Sequence, residues 1–165
     1  FVTTQNAEGP DSIPTTTDAT EGNAASDLDR LSGLRLADYS GAPVSLGDYR
    51  GKPLVVNSWA AWCPFCKQEL PDFAAAQKEF GERVTIIAVD RAESLSVARE
   101  YTDEAGITSS LTFLLDPSDS FYKAIGGFSM PETIFVDTSG KIVEHVRGPI
   151  TLDEMREKIT SLIGE

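Results

Sequence analysis

The chain has 165 residues, of which 41% are hydrophobic and 8% aromatic, and its formal net charge is −12. That length suits one domain with a proper core rather than two, and so acidic a surface argues against nucleic acid or anionic lipid as a partner. Two cysteines are too few for a disulfide framework, and no apolar stretch approaches membrane-spanning length.

Residues 1–27 are rich in Thr, Ala, Ser, Asp and Gly, include Pro10 and Pro14, and lack Lys and Arg before Leu28. They have too little apolar surface to offset the entropy of ordering and read as a disordered acidic tether. Because Phe1 is not a start methionine, a leader or anchor ahead of it is expected. The folded domain is expected over 28–165. Two short strands, Leu34–Ala37 and Pro43–Leu46, flank a turn at Tyr39-Ser40-Gly41-Ala42, and 47–52 forms a second turn. Pro53–Trp59 is a buried strand centred on Leu54-Val55-Val56. A helix is predicted from Cys63 or Pro64 to about Phe80, stopped by Gly81.

Val84–Val89 is a second apolar strand, and Ser94–Ala105 a helix capped by Ser94 and ended by Gly106. Thr112–Leu115 is a third core strand, followed by a short helix at Ser118–Ile125. Thr133–Val136 and Lys141–Arg147 form a hairpin around Asp137-Thr138-Ser139-Gly140. Leu152–Ile163 closes the chain as a helix, with Thr151 and Glu154 spaced as a capping box. Strands alternating with helices, then a hairpin and a terminal helix, predict an α/β three-layer sandwich with a mixed central sheet.

The two cysteines stand in Trp62-Cys63-Pro64-Phe65-Cys66, between a buried strand and a helix. Thiol exchange needs an exposed, stabilised thiolate with a second sulfur nearby. At a helix opening the first cysteine meets unpaired N–H groups and the positive end of the dipole. The second, three residues on, lies a turn deeper on the same face. Cys63 would attack a partner disulfide and Cys66 would then release the partner. The competing reading is half of a zinc site, but zinc wants four ligands and only His145 remains.

The run Val55 to Pro71, with Trp59-Ala60-Ala61-Trp62-Cys63-Pro64-Phe65-Cys66 at its centre, resembles the active-site segment of TlpA/ResA-like thiol–disulfide oxidoreductases, a branch of the thioredoxin superfamily. Pro71 matches the proline that kinks this helix in the superfamily. Ser129-Met130-Pro131-Glu132-Thr133 resembles the family's cis-proline loop, and Gly47–Lys52 also matches the branch. The likeness runs from about Leu34 to Ile163 and includes the N-terminal hairpin and a central strand–helix insertion. It implies a thioredoxin-like fold, a cis Met130-Pro131 bond beside the sulfurs, and a Met130 backbone that pairs with an extended substrate. Read from the residues alone, a plain turn before a strand is the alternative at Pro131.

Glu69 is three residues past Cys66 and shares its helix face. A glutamate at the matching place of ResA-like proteins lies in the active-site cavity, which implies that Glu69 takes and returns the proton of Cys66. A solvated helix glutamate is the alternative. Asn57 stands where many thioredoxins carry a buried aspartate, and is read as bonding its neighbours. Trp59 is assigned to the core. Trp62, with Pro64 and Phe65, is assigned to shielding the sulfurs and meeting partners. His145 is read as a surface residue of an alternating strand.

The resemblance implies protein dithiols and disulfides as partners, a membrane thiol as electron donor, an extracytoplasmic site, a monomer, and no cofactor or metal beyond the Cys63–Cys66 disulfide. Ala60 replaces the threonine usual three residues before a peroxidase cysteine, and a Cys-x-x-Cys is one residue short of a copper chaperone's spacing. Pro64-Phe65 offers no side-chain donor to the Cys63 thiolate. A reducing to intermediate potential is therefore expected, nearer the thioredoxin value of about −270 mV than the oxidising extreme of about −120 mV.

Overall fold

The computed structural model describes residues 24–165. The segment 1–23, most of the expected tether, lies outside them. Ser26 and Asp27, assigned to the tether, belong to the domain. Ser26 caps a short helix, α1 (Asp27–Leu31), in a reciprocal box with Asp29, and the Asp27 carboxylate accepts the Ile142 N–H at 2.9 Å. Five residues with two buried leucines, Leu28 and Leu31, are too few to show a helical period in sequence.

Next come β1 (Leu36–Asp38) and β2 (Pro43–Val44), paired antiparallel. The second expected strand stops early because Ser45 caps a 3-10 turn at Leu46–Tyr49, boxed with Asp48. Then follow β3 (Leu54–Trp59), α2 (Pro64–Phe80), β4 (Thr85–Arg91), α3 (Leu95–Glu104), β5 (Thr112–Asp116), α4 (Ser120–Ala124), β6 (Glu132–Val136), β7 (Ile142–Arg147) and α5 (Leu152–Ile163). The strands form one sheet in the order β2-β1-β5-β4-β3-β6-β7. β3, β4 and β5 run parallel, while β1, β6 and β7 pair antiparallel with their neighbours. The sheet is mixed, with helices on both faces.

The central strands read as continuous apolar runs, and the pleat divides each run between two cores. Val55, Trp59, Ile86, Ala88, Phe113 and Phe135 face one way, against Phe73 and Phe80 of α2, Ala98 of α3, and Met155 and Ile159 of α5. Leu54, Val56, Ile87, Val89, Leu114, Ile134 and Val136 face the other, against Leu28 and Leu31 of α1 and Phe121 of α4. These are the three layers.

The parallel strands β3 and β4 end together, Trp59 opposite Asp90. Glu132, where β6 begins, lies opposite Ser58. The loop after β3, the turn after β4 and the segment before β6 therefore gather at one end of the sheet. In α/β sheets this is where sites are built.

Candidate active site

Cys63 is the N-cap of α2, with extended backbone (φ −98°, ψ 108°), and Pro64 occupies the first helical position. Proline suits that place because its missing N–H would be unpaired anyway. Cys63 and Cys66 are joined in a disulfide, their Cα atoms 5.3 Å apart. The Cys66 N–H points at the Cys63 sulfur at 3.2 Å. A sulfur in this position receives the helix-end N–H groups that favour a thiolate when the bond is reduced. Cys66 is fully buried, and Cys63, expected from the sequence to be exposed, is only 3% exposed because it packs into the same core cluster as Cys66. Around them Trp62 and Phe65 stand out, 61% and 55% exposed.

Pro71 lies inside α2 and cannot donate to the carbonyl of Lys67, four residues earlier. The Tyr101 hydroxyl of α3 donates to that carbonyl instead, at 2.7 Å. Its ring also lies 5.3 Å from the Lys67 ammonium. The helix that carries both cysteines thus passes its proline without an orphaned acceptor.

Glu69 is not a solvated helix residue. Its side chain is 2% exposed, and α2 turns it inward against β3 and the segment before α5. Asn57 Nδ2 donates to Oε1 at 2.7 Å and the Ile150 N–H donates to Oε2 at 3.1 Å. Burial pushes its pKa from 4.5 up to about 7, against the pull of those two donors, with Asp72 adding a small upward push. Glu69 also lines a groove of about 260 Å3 with Phe65, Gln68, Asp72, Pro149, Ile150 and Thr151. A carboxyl poised near neutrality, one turn beyond Cys66, can hold or release a proton at working pH.

Asn57 bonds its neighbours, as expected, donating to Thr133 Oγ1 at 3.1 Å as well as to Glu69. Its own Oδ1 is buried without a partner. Trp59 is in the core, packed on Tyr101 and Phe113.

The Met130–Pro131 bond is cis, and Met130 packs against the same core cluster as Cys63 and Cys66. The next residue, Glu132, was not singled out in the sequence, although it is fully buried. Arg147 Nε lies 2.9 Å and His145 Nε2 3.4 Å from its Oε1, and Oε2 accepts the Phe128 N–H at 3.1 Å. Arg147 also covers the Phe128 ring at 4.6 Å. Phe128, equally unremarked, is 76% exposed, a third large aromatic at this end of the sheet.

His145 is not the surface residue expected from its strand. Its side chain is 18% exposed because β7 pairs it with the interior of β6. Burial, then Arg147, push its pKa below the usual value, with Glu132 pulling the other way. The signal that marks Glu132 in sequence is a carboxylate at the head of an otherwise apolar strand, answered by Arg147 in the partner strand.

The AhpC/TSA family model matches residues 22–145. ResA of Geobacillus thermodenitrificans, a thiol–disulfide oxidoreductase, is 27% identical over 128 residues, covering 77% of this chain and 72% of that protein. The thioredoxin-like protein YneN of Bacillus subtilis is 30% identical over 127 residues, covering 75% and 73%. Among solved structures, dsbF of Mycobacterium tuberculosis, determined in mixed oxidised and reduced forms, superposes with a TM-score of 0.74. It is 27% identical over 81% of this chain and 96% of its own. The exposed lipoprotein thioredoxin Etrx1 of Streptococcus pneumoniae gives 0.66, with 28% identity over 78% and 98%. A helix-capping disulfide pair on this fold, together with these relatives, places the chain in the AhpC/TSA family, among its ResA-like thiol–disulfide oxidoreductases.

Proposed function

We propose that the protein acts outside the cytoplasm as a reductant of disulfides in partner proteins. The observation that supports this most directly is the Cys63–Cys66 pair at the opening of α2, with the buried Glu69 one turn further on. In the reduced protein the Cys63 thiolate attacks one sulfur of the partner disulfide, and the other partner sulfur leaves as a thiolate and takes a proton. The Cys66 thiol passes its proton to Glu69 and attacks the Cys63 sulfur. This frees the partner's second sulfur as a thiolate, which takes the proton back from Glu69, and leaves Cys63–Cys66 oxidised. Two electrons have moved to the partner, and a dithiol donor at the membrane restores the pair. The cycle needs no metal or organic cofactor.

Trp62, Pro64 and Phe65 on one side and Met130-Pro131 on the other form the contact surface for the partner's extended backbone. Apocytochrome c and copper-site assembly proteins are the partner classes that fit the resemblance to the ResA group. A reducing role agrees with the Pro64-Phe65 dipeptide, which offers the thiolate no side-chain donor and so does not hold the reduced form strongly. The extracytoplasmic placement is supported by a relative described as an exposed lipoprotein, Etrx1. No helix among the described residues is long and apolar enough to cross a membrane.

The test is reduction of insulin disulfides by the dithiol form, with the potential measured against a glutathione series. Catalysis and a potential nearer about −270 mV than about −120 mV are expected. A potential at the oxidising end would reverse the assigned direction.

A further inference from the structure

A second acidic group reaches the redox loop from β4. Asp90, next to last in that strand, pairs with Trp59, so the chain leaving β4 runs alongside the chain that leads to Cys63. The path is tightly shaped. Ala92 has a φ of 56°, a left-handed conformation that a residue with a Cβ seldom adopts. Its N–H is held by the Asp116 carbonyl at 3.1 Å. Arg91 is tied by two bonds, 2.9 and 2.7 Å, to Asp119. The turn brings Glu93 back over the β3 end, where its Oε1 accepts the N–H of Ala61, two residues before Cys63.

Asp90 supports that contact from below. It is fully buried, its Oδ1 accepts the Glu93 N–H at 3.0 Å, and its Oδ2 has no partner. An unpaired buried carboxyl oxygen is costly in a core. The left-handed Ala92 follows Asp90 and Arg91 and leads directly into Glu93.

We propose that Glu93 is a positioning residue for thiol exchange, fixing the turn from Ala60 to Cys63 through the Ala61 amide, with Asp90 holding Glu93 in place. The proposal rests on the reading of Cys63 as the attacking sulfur. The Cys63 N–H already closes this turn onto the Ala60 carbonyl at 3.1 Å, and Ala61 lies inside it. Anchoring Ala61 fixes where the Cys63 sulfur lies relative to the amides of α2, and how Trp62 projects beside it.

The charges around the pair fit a fixed division of labour. Asp90 faces Glu93 on its own turn, Asp116 on β5 and Tyr39 after β1. Asp116 is engaged by Ser120 Oγ and the Phe121 N–H, both at 2.8 Å. Arg91 is committed to Asp119 and the face of Tyr122, and Arg99 to the ring of Tyr39. Burial, then Glu93 and Asp116, raise the pKa of Asp90. The contacts that link the two acids to the redox loop run through backbone amides: Asp90 Oδ1 accepts the Glu93 N–H, and Glu93 Oε1 accepts the Ala61 N–H.

The test compares wild type, Glu93→Ala and Glu93→Gln in insulin reduction, in the pH titration of Cys63 thiolate absorbance, and in the Ala61 amide signal by NMR. Glu93→Ala should slow exchange roughly tenfold, raise the pH at which Cys63 ionises and release the Ala61 amide to solvent exchange. Glu93→Gln keeps an oxygen acceptor and should recover most of the rate. The proposal is overturned if Glu93→Ala exchanges within about twofold of wild type with an unchanged Cys63 titration. It is equally overturned if the wild-type Ala61 amide exchanges like an open-loop amide, a result that holds even if the alanine variant does not fold. Failure of the wild type to reduce insulin would sink the redox reading instead, while the amide and thiol titrations still judge Glu93.

Discussion

Replacing Glu69 with glutamine removes a carboxyl whose ionisation the fold opposes, and the pH dependence of stability measures that opposition. Glu69 has its pKa raised from 4.5 to about 7, chiefly by burial. The native state therefore holds a proton that the unfolded chain has released throughout that interval. The sign follows: the native state binds more protons than the unfolded state, so stability falls as pH rises between about 4.5 and 7 and levels off above. At about 1.4 kcal/mol per pH unit, the loss amounts to about 3 kcal/mol. Asp90 contributes in the same direction and His145, with its lowered pKa, in the opposite one. The diagnostic quantity is thus the difference between wild type and Glu69→Gln.

Glutamine also suits the site sterically. Its oxygen can accept the Ile150 N–H that Glu69 Oε2 accepts now. Its amide can donate to Asn57 Oδ1, which lacks a partner, once the Asn57 amide turns over. Urea denaturation of the oxidised protein at pH 5 and pH 8 is the assay. Wild type should lose about 2.5 kcal/mol more than the variant between these values, and the variant should be the more stable at pH 8. Parallel pH profiles for the two proteins would refute the reasoning, because Glu69 would then titrate alike in folded and unfolded chains.

In exchange assays at neutral pH the same variant should slow release of the mixed disulfide by roughly 10²-fold or more, the usual worth of a general base; an unchanged single-turnover rate would remove Glu69 from the proton path. Cys66→Ser should trap partners covalently on Cys63, seen as adducts that dissolve in dithiothreitol, and the absence of adducts would assign the attack elsewhere. Arg147→Ala should cost about 3–5 kcal/mol by leaving Glu132 buried without its cation. Adding Glu132→Gln should restore much of that loss, measured by denaturation. Gly127→Ala should cost about 1–3 kcal/mol, since an added Cβ would collide with the Tyr122 ring and the Glu132 carboxylate; a thermal midpoint equal to wild type would show that the loop yields freely.

The redox pair was legible because its chemistry depends on local sequence: cysteine spacing, a proline suited to a first helical turn, and a strand ahead of it. Long periodic elements such as α2 and α5 were legible for the same reason, Thr151 and Glu154 forming the expected box. What escaped is short or non-local. The helix at Asp27–Leu31 and the 3-10 turn at Leu46–Tyr49 both begin with Ser-x-x-Asp, at Ser26 and Ser45, a weaker form of the capping pattern recognised at Thr151. Glu69 left two readings open, because only the approach of Asn57 and Ile150 distinguishes a buried carboxyl from a solvated one. Glu132 and Arg147 meet across the β6–β7 register, and Glu93 reaches Ala61 from 32 residues away. Separations of that kind carry no period.

The rims of the sheet bear on what such a protein meets at work. One rim, β2, has two residues and opens with Pro43, which has no N–H to lend to a newcomer. The other, β7, is offset by a register shift at Phe135/Val136 and carries Glu144, engaged by Lys158 from α5. Neither rim offers a long, flat template for adding strands. An oxidoreductase with such rims can meet a partner protein at the disulfide and let it go, without becoming the seed on which it aggregates.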